Sequence, residues 1–356
     1  MISRTISFTA ACLCVLLSGC MPLGPRSLKA DQVDYARSLG DAKKREILSM
    51  IVGLRYADAP AFLNVTQIIA AYTFDATGVA LLNAGPIPGG PRAQATGTVS
   101  YSNHPTFTFT PTTGENYAKA YIHPLSPALI MPLADSGVPV DLLLRITVQS
   151  INGLDNATML GGSAGNGSPE FFELLQVMRR LQIAGELAIQ FKPGTHTEQV
   201  TMSIGSPLGH ESVTNEADVR RARTLLNLSD QNREYEIVYG NSAGRPGQIP
   251  IVTRSIRAIL SDLGSEIAVP DADTANGTTK PAIGLVGTET RPIIIVHVGR
   301  KVPSTAYAAV RYRSSEFWIE DTDFDSKYAL TVVQDLMALA EVTDTSHAPI
   351  VTIPAS

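Results

Sequence analysis

A Gly-rich pentapeptide, Gly161–Gly165, is the pattern in this chain most typical of covalent catalysis. It matches Gly-x-Ser-x-Gly, the sharp turn that presents a serine nucleophile between a strand and a helix. Ser163 would be that nucleophile, and it would need a later Asp and a later His, with His210 and His297 as the imidazole candidates. Polar residues 155–158 precede the motif where an apolar strand is needed, and the next helix signal begins several residues too late. We therefore assign no catalytic residue in the leading interpretation and keep Ser163 as the nucleophile of an alternative one.

Carboxylate and imidazole side chains could bind a metal, but their spacing is wrong. Asp321, Asp323 and Asp325 open like a calcium-binding loop, yet Ser326 stands where that loop needs Gly and Val332 where it needs a bidentate Glu. We predict instead that these carboxylates lie at a helix N-terminus, where the helix dipole favours them. The histidines occur singly, without the spacing that places two on one helical face, at positions 104, 123, 196, 210, 297 and 347. The sequence predicts no metal site and no cofactor.

Composition and charge exclude several classes of protein. Of the 356 residues, 44% are hydrophobic and 17% are charged, values that are ordinary for a globular chain and exclude collagen, coiled coil and wholesale disorder. The 28 Lys and Arg residues are scattered among 33 Asp and Glu residues, for a net charge of -5. Because nucleic-acid binding needs clustered cations to neutralise phosphate, we expect no nucleic-acid partner.

The N-terminus has the pattern of an export signal. Arg4 precedes Ile6–Leu17, a stretch rich in apolar and small residues that is too short to cross a bilayer as a helix. It ends in Leu17, Ser18, Gly19 and Cys20. This ending resembles the lipobox of bacterial lipoproteins, in which the signal peptidase recognises the first three residues and the Cys is acylated. The resemblance implies that residues 1–19 are a lipoprotein signal peptide and that Cys20 is the lipidated N-terminus.

The cysteine count agrees with this interpretation. Cys12 and Cys14 lie in the segment that would be removed, so Cys20 would be the last thiol and no intrachain disulfide could form. Acyl chains on Cys20 would anchor the protein to a membrane without spanning it, at about 0.8 kcal/mol for each buried methylene. Met21 follows the Cys in place of Asp, which by the same resemblance implies the outer membrane, on its periplasmic face. Residues 20–30 would form a short lipidated tether.

Beyond the tether, residues 31–160 are predicted to form an N-terminal α+β region. Apolar residues at near-helical spacing over 31–55 predict an amphipathic helix, interrupted or kinked near Gly40. Branched and aromatic residues predict strand within 61–74, and alternation predicts strands at 96–101 and 106–110. Helix signals follow at 114–121, 127–136 and 138–151.

The Gly-rich segment 161–168 is predicted to be a loop or a domain boundary, followed by a C-terminal α+β region, 169–356. Ser168, Pro169 and Glu170 are suited to the start of a helix that Gly185 ends. Alternation and helical spacing then predict strands at 186–192, 198–204, 234–239, 292–298, 306–313 and 316–320, and helices at 215–226, 253–263 and 323–341. Strands and helices do not alternate strictly, so we predict an α+β fold of mixed helices and short, largely antiparallel strands.

Several further segments resemble proteobacterial lipoproteins whose function is unknown: Leu54–Tyr56, Pro60–Leu63, Phe109–Glu115, Asp141–Leu154, Val310–Arg313, Phe317–Asp321 and Ser326–Lys327. The resemblance supports a lipoprotein and implies no activity. The leading functional prediction is a membrane-anchored periplasmic lipoprotein that acts, without catalysis, as a scaffold, assembly or binding component of the cell envelope, with envelope proteins as partners. The alternatives are a periplasmic serine hydrolase using Ser163, and a lipoprotein that binds a small ligand or glycan between the two regions.

Overall fold

The structure is a computed structural model, and it describes residues 23–69, 72–83, 92–103, 106–160, 163–165, 167–192, 199–205, 213–229, 234–242, 244–282 and 291–341. The predicted signal peptide and Cys20 lie outside these residues. The fold is α+β, as the sequence predicted: helices pack with mixed and antiparallel sheets.

The first helix, α1 (Leu23–Arg55), differs from the sequence prediction in two ways. It begins inside the segment that was predicted to be a tether, and it continues through Gly40 as helix, so the predicted interruption is wrong. A Cβ added at Gly40 would meet no neighbouring heavy atom within 4 Å. The second half of α1 enters the core, where Ile47, Leu48 and Ile51 are fully buried.

The other helices are short or of ordinary length. In chain order they are α2 (Gly114–Tyr117), which continues into a π-helical turn (Ala118–Ile122), then α3 (Pro127–Asp135), α4 (Val140–Thr147), α5 (Pro169–Ile183), α6 (Val213–Leu225), α7 (Ile256–Glu266), α8 (Asp271–Ala275) and α9 (Phe324–Ala340). No helix among the described residues is both long enough and apolar enough to cross a membrane.

The largest sheet has six strands in the order β6-β5-β12-β11-β10-β9. Its strands are β5 (Val148–Ile151), β6 (Leu154–Asp155), β9 (Leu187–Lys192), β10 (Gln199–Ile204), β11 (Glu234–Tyr239) and β12 (Gln248–Thr253). All neighbours are antiparallel except β11 and β12, which are parallel. Strands from both sides of the Gly-rich segment therefore share one sheet.

Four smaller sheets complete the fold. One has three strands, β13 (His297–Gly299), β14 (Ala306–Tyr312) and β15 (Ser315–Glu320), in the order β13-β15-β14. The others are the pairs β1 (Leu63–Ile69) with β4 (Thr106–Pro111), β2 (Tyr72–Asn83) with β3 (Arg92–Asn103), and β7 (Thr158–Leu160) with β8 (Ser163–Gly165). The three-stranded sheet packs on α1 beside the main core.

Two element predictions were wrong at their ends. The helix predicted over 138–151 stops at Thr147, because the next four residues pair with β12 as strand β5. The strand predicted over 292–298 is a strand only from His297 to Gly299, although Ile293, Ile294 and Val296 are buried. In both places the apolar pattern correctly predicted which residues are buried. Pairing with another strand determined which of them adopt the strand conformation.

Helix α5 follows the predicted start and end signals. Pro169 occupies the first turn, Glu170 adds a carboxylate there, and Gly185 takes a left-handed conformation at φ +72° just beyond the helix. Ser168 precedes the helix, but its side chain does not cap it. The Ser168 hydroxyl instead contacts the backbone of Asp155, accepting from its N–H at 3.0 Å, and so joins the helix start to β6.

Candidate functional site

Two consecutive pairs of antiparallel strands, within residues 63–111, form the first candidate site. Strands β2 and β3 pair along all twelve residues without a bulge. Strands β1 and β4 pair before them, with one irregularity at Val65/Gln67. The partners Ile69 with Thr106 and Tyr72 with Asn103 are three residues apart on each strand, so the second pair continues the register of the first. We call β2 with β3 the ribbon and β1 with β4 its base.

The residues of the ribbon fall into two rows, because successive residues of a strand point to opposite sides. One row, the polar row, contains Thr, Ser, Asp, Asn, Gln and Arg, with only Val79 and Leu81 apolar: Thr73, Asp75, Thr77, Asn83, Arg92, Gln94, Thr96, Thr98, Ser100 and Ser102. The other row, the apolar row, contains aromatic, aliphatic and small residues up to Asn103: Tyr72, Phe74, Ala76, Gly78, Ala80, Leu82, Ala93, Ala95, Gly97, Val99 and Tyr101.

Both long edges of the ribbon lack a strand partner within the part of the chain that the structure describes. The side chains of Asp75, Thr77, Thr96, Thr98 and Ser100 in the polar row are exposed. An isolated pair of strands is at best marginally stable in water, and its edges present rows of backbone donors and acceptors to any further strand. The edges of the ribbon are therefore suited to pairing with a strand from outside.

An aromatic cluster attaches the base to the helical body. Phe62, just before β1, stacks on Tyr121 with ring centroids 3.5 Å apart, and both contact Tyr117 at 5.7 Å. The Thr112 N–H, just after β4, donates to the Phe62 carbonyl at 3.0 Å, which closes the base. Burial and the neighbouring Glu341 carboxylate raise the pKa of Tyr121, so its hydroxyl stays neutral. The base is therefore attached to the helical body at one end by packed aromatic rings.

A second candidate site is a cavity of about 700 Å³ between the end of α1, helix α7 and the turn 277–280. Its lining includes Arg55, Arg257 and Lys280, against the single exposed carboxylate of Asp58. Hydroxyl-bearing residues complete the lining: Ser255, Ser261, Ser265, Thr278 and Thr279. The hydroxyls of Ser265, Thr278 and Thr279 already donate to backbone carbonyls, so the cations are the groups suited to a small anionic ligand, such as a phosphate or a carboxylate.

Two arginines at the cavity are held by the fold itself. Arg55, 7% exposed, donates to the Lys280 carbonyl at 2.6 Å, while Thr279 Oγ1 donates to the Arg55 carbonyl at 2.6 Å. Arg254 donates to the Arg145 carbonyl at 2.9 Å and lies 3.0 Å from Asp262. Burial lowers the pKa of both guanidinium groups, and Asp262 opposes that shift at Arg254. These contacts fix the cavity wall, and Arg257 and Lys280 are exposed basic residues in its lining.

The structure places Ser163 in strand β8, opposite Leu160 of β7. A nucleophile elbow needs the serine on a sharp turn directly before a helix, whereas α5 begins only at Pro169. Of the two imidazole candidates, His210 lies outside the described residues. His297 is exposed in β13 and stacks on Trp318 with ring centroids 5.7 Å apart.

The acidic run 321–325 forms the predicted helix start. Asp323 caps α9 by accepting from the Ser326 N–H at 3.2 Å, and Arg291 pairs with Asp323 at 2.9 Å and with Asp325 at 2.8 Å. Burial raises the pKa of Asp323, but the hydrogen bonds from Ser326 and Arg291 outweigh it, so the net pKa is lowered.

Across the described residues no three His, Cys, Asp or Glu side chains lie close enough together to hold a metal.

The sequence predictions missed the length of the ribbon and missed the cavity. Alternation is readable from Tyr72 to Asn83 and from Arg92 to Asn103, but the small residues of the apolar row weaken the signal, so only 96–101 was predicted there. The residues that line the cavity are far apart in the chain, so no local spacing in the sequence predicts it. Leu17, Ser18, Gly19 and Cys20 lie outside the described residues, so the lipobox remains a prediction.

No family model, no curated protein and no solved structure matches this chain.

Proposed function

We propose that this protein is a lipid-anchored, non-enzymatic assembly component of a bacterial cell envelope, held at the periplasmic face of the outer membrane through Cys20. The ribbon is the observation that carries the proposal. Its twelve paired residues on each strand, its edges without a strand partner among the described residues, and the five exposed residues of its polar row are what a strand-adding surface requires. An envelope protein that completes this sheet is the partner class that it fits.

Anchoring supports the assembly role. A lipidated N-terminus confines the protein to two dimensions and fixes which side of the membrane it faces, which raises the effective concentration of partners in the same membrane. Helix α1 begins three residues after Cys20 and is about 50 Å long at 1.5 Å for each of its 33 residues. Its rigid length, with the second half inside the core, connects the anchor directly to the body.

The candidate catalytic groups support a binding role better than a hydrolytic one. Ser163 lies in a strand, and His297 is stacked on Trp318. Ser168 and Asp323, the polar residues next to helix starts, are each used by backbone or side-chain contacts of the fold. A serine hydrolase would need Ser163 on a different backbone geometry, so we do not carry that alternative further.

The test is recovery of partners from the membrane of origin. Tagged full-length protein is extracted with a mild detergent, purified, and analysed by mass spectrometry together with intact-mass measurement of the N-terminus. We expect an acylated Cys20 and a stoichiometric envelope component, either another protein or further copies of this chain. A clean, monomeric chain that carries the lipid but recovers nothing would contradict the proposal.

Two variants serve as controls for that experiment. Cys20→Ser should abolish acylation and release the chain from the membrane, and the partner should then be lost or reduced. Ser163→Ala should leave anchoring and partner recovery unchanged. Labelling of the wild type by a fluorophosphonate probe, lost in Ser163→Ala, would instead favour the hydrolase.

The cavity favours a second function, the capture of a small anionic ligand. A panel of inorganic phosphate, sugar phosphates and dicarboxylates would be screened by thermal shift, since a ligand that binds only the folded state raises the melting temperature. Arg257→Gln should abolish the shift produced by a true ligand, because Arg257 is exposed at the mouth of the cavity. Arg220→Gln, on the exposed surface of α6, is the matched control. A shift that both variants retain equally would place the ligand elsewhere.

A further inference from the structure

We infer that the partner of the ribbon is the ribbon of another copy of this chain, with β2 of one copy paired edge to edge against β3 of the next. The inference rests on the proposed function, because it names the partner that the assembly requires. It concerns only the ribbon and does not depend on the cavity.

The geometry of the ribbon suits repetition. Strands β2 and β3 are equally long, paired without a bulge and antiparallel. Copies that stand side by side in the same orientation therefore bring β2 of one next to β3 of its neighbour in an antiparallel arrangement. Lipid anchoring at Cys20 would give all copies the same orientation relative to the membrane. The same side-by-side contact can then repeat from copy to copy.

The residues of the ribbon permit contact between identical copies. Like charges would repel, but the only charged residues in the two strands are Asp75 and Arg92, near opposite ends of the ribbon. Lys and Pro, which natural proteins place on exposed edges to prevent pairing, are absent from both strands. Side-by-side ribbons would also continue both the polar row and the apolar row from one copy into the next.

The area of the contact favours the use of both edges. A twelve-residue strand is about 40 Å long and a sheet about 10 Å thick, so one edge offers a strip of roughly 400 Å². A stable interface commonly buries about 800 Å² on each partner. One edge supplies about half of that, so each edge-to-edge contact is small, and contacts at both edges bury about 800 Å² on each copy only as two separate interfaces. A two-fold dimer would use one edge and leave the other open, so we infer a series of three or more copies.

Cross-linking of single-cysteine variants tests the contact directly, since the predicted mature chain has no cysteine other than Cys20, which would be acylated. Two differently tagged full-length copies are expressed together, one carrying Thr77→Cys on β2 and the other Thr96→Cys, Thr98→Cys or Ser100→Cys on β3. All four positions are exposed. Membranes are treated with an oxidant, which forms disulfides, or with a short bis-maleimide cross-linker. We expect a mixed product with at least one β3 position. Higher products are expected when one chain carries Thr77→Cys together with Thr96→Cys or Ser100→Cys, since Thr98 is the direct partner of Thr77 in the same ribbon and would cross-link within the chain.

Three results would overturn the inference. Ser136→Cys, on the exposed end of α3, is the control for random collision, and equal product with that variant would mean that the contact is not specific. Product from Thr77→Cys with itself and none with β3 would mean a two-fold contact. Capture of a different envelope protein at Thr77→Cys, without product between copies, would overturn the inference while leaving the proposed function intact. A chain that recovers no partner of any kind would contradict both.

A second measurement does not depend on cross-linking. The double variant Thr77→Lys with Thr98→Lys adds charge to both edges, while Thr77→Gln with Thr98→Gln adds comparable bulk without charge. Light scattering in detergent should show several copies for the wild type and for the Gln variant, and a single copy for the Lys variant. Because Thr77 and Thr98 are direct partners in one ribbon, limited proteolysis of the ribbon and the melting temperature of the body are measured alongside, and together they separate lost assembly from lost folding of either part. An unchanged particle mass in the Lys variant would overturn the inference.

Discussion

The ribbon and the helical body are stabilised in opposite ways. In the body, Phe317 is fully buried and packs edge to face on Tyr56 at 6.4 Å, and Tyr56 in turn stacks on Tyr312 at 5.1 Å. In the ribbon, backbone pairing is complete between two strands, yet Thr77 and Thr98 at its middle are exposed. The body therefore contains the interactions that stabilise it, whereas a ribbon of two strands is by itself at best marginally stable in water.

The largest expected effect is removal of a buried ring from the body. Phe317→Ala deletes a fully buried side chain between β15 and α1, and we expect the free energy of unfolding to fall by about 3 to 5 kcal/mol. Phe324→Ala is the matched control, because Phe324 is 69% exposed and its loss should cost less than about 0.5 kcal/mol. Urea denaturation followed by circular dichroism measures both. Equal losses would mean that the body is not packed as described.

A glycine at the crossing of α1 and α7 gives the next effect. A Cβ on Gly264 would lie 2.7 Å from the Ile51 carbonyl oxygen, so Gly264→Ala forces the two helices apart and should cost about 1 to 3 kcal/mol. Gly40→Ala, in the exposed half of α1, meets nothing within 4 Å and should instead stabilise by about 0.5 to 1 kcal/mol. Thermal melting gives the two signs. A stabilising Gly264→Ala would contradict the close approach of the helices.

The cap of α9 should make part of the body's stability depend on pH. Asp323→Ala removes the cap and should cost about 0.5 to 2 kcal/mol at pH 7. Because the pKa of Asp323 is lowered on folding, its stabilisation is present above the ordinary value of 3.8 and is lost as the pH falls through the folded pKa. The difference between wild type and variant should therefore shrink below pH 3.8.

Denaturation curves at several pH values measure that difference. Asp325→Ala is the control, since its pair with Arg291 is 72% exposed on the carboxylate side and should contribute only about 0 to 1 kcal/mol. A difference for Asp323→Ala that stays constant down to about pH 2 would mean that the carboxylate charge has no part in the cap.

The smallest effect is expected in the ribbon. Thr98→Ala changes an exposed residue and should alter the free energy of unfolding of the dispersed single chain by no more than about 0.5 kcal/mol. Thr253→Ala makes the same change in the body, where the hydroxyl is buried and donates to the Leu125 carbonyl at 2.5 Å, and should cost about 1 to 3 kcal/mol. Thermal melting of the two variants measures both effects. A loss at Thr98 equal to that at Thr253 would mean that the ribbon folds as part of the body.

Elements whose signals lie within a few residues of each other were predicted well. Helix α5 begins at Pro169 and ends before Gly185, as capping and turn residues indicated, and β11 spans Glu234–Tyr239 as alternation indicated. Strands β14 and β15 were also predicted, with ends within one residue of those observed. These predictions succeeded because the residues that decide the structure are neighbours in the sequence.

Elements decided by distant contacts were predicted poorly. Residues 148–151 have helical spacing, yet they form β5 because β12 offers them a partner. The cavity is closed by Arg55 and Lys280, which meet only after α1 and the turn 277–280 pack together. The ribbon was partly readable from alternation, but the absence of a third strand beside it, within the described chain, was not.

Composition and short spacings were enough to predict the α+β class and the local starts and ends of helices such as α5, and they make up the pattern around Cys20. Packing and strand pairing were needed to bring β5 and β12 of the two regions into one sheet, to place Ser163 in a strand, and to pair β2 with β3 without a further neighbour among the described residues. Strand pairing and packing select among local conformations of similar energy, and the groups that make this selection come from distant parts of the chain.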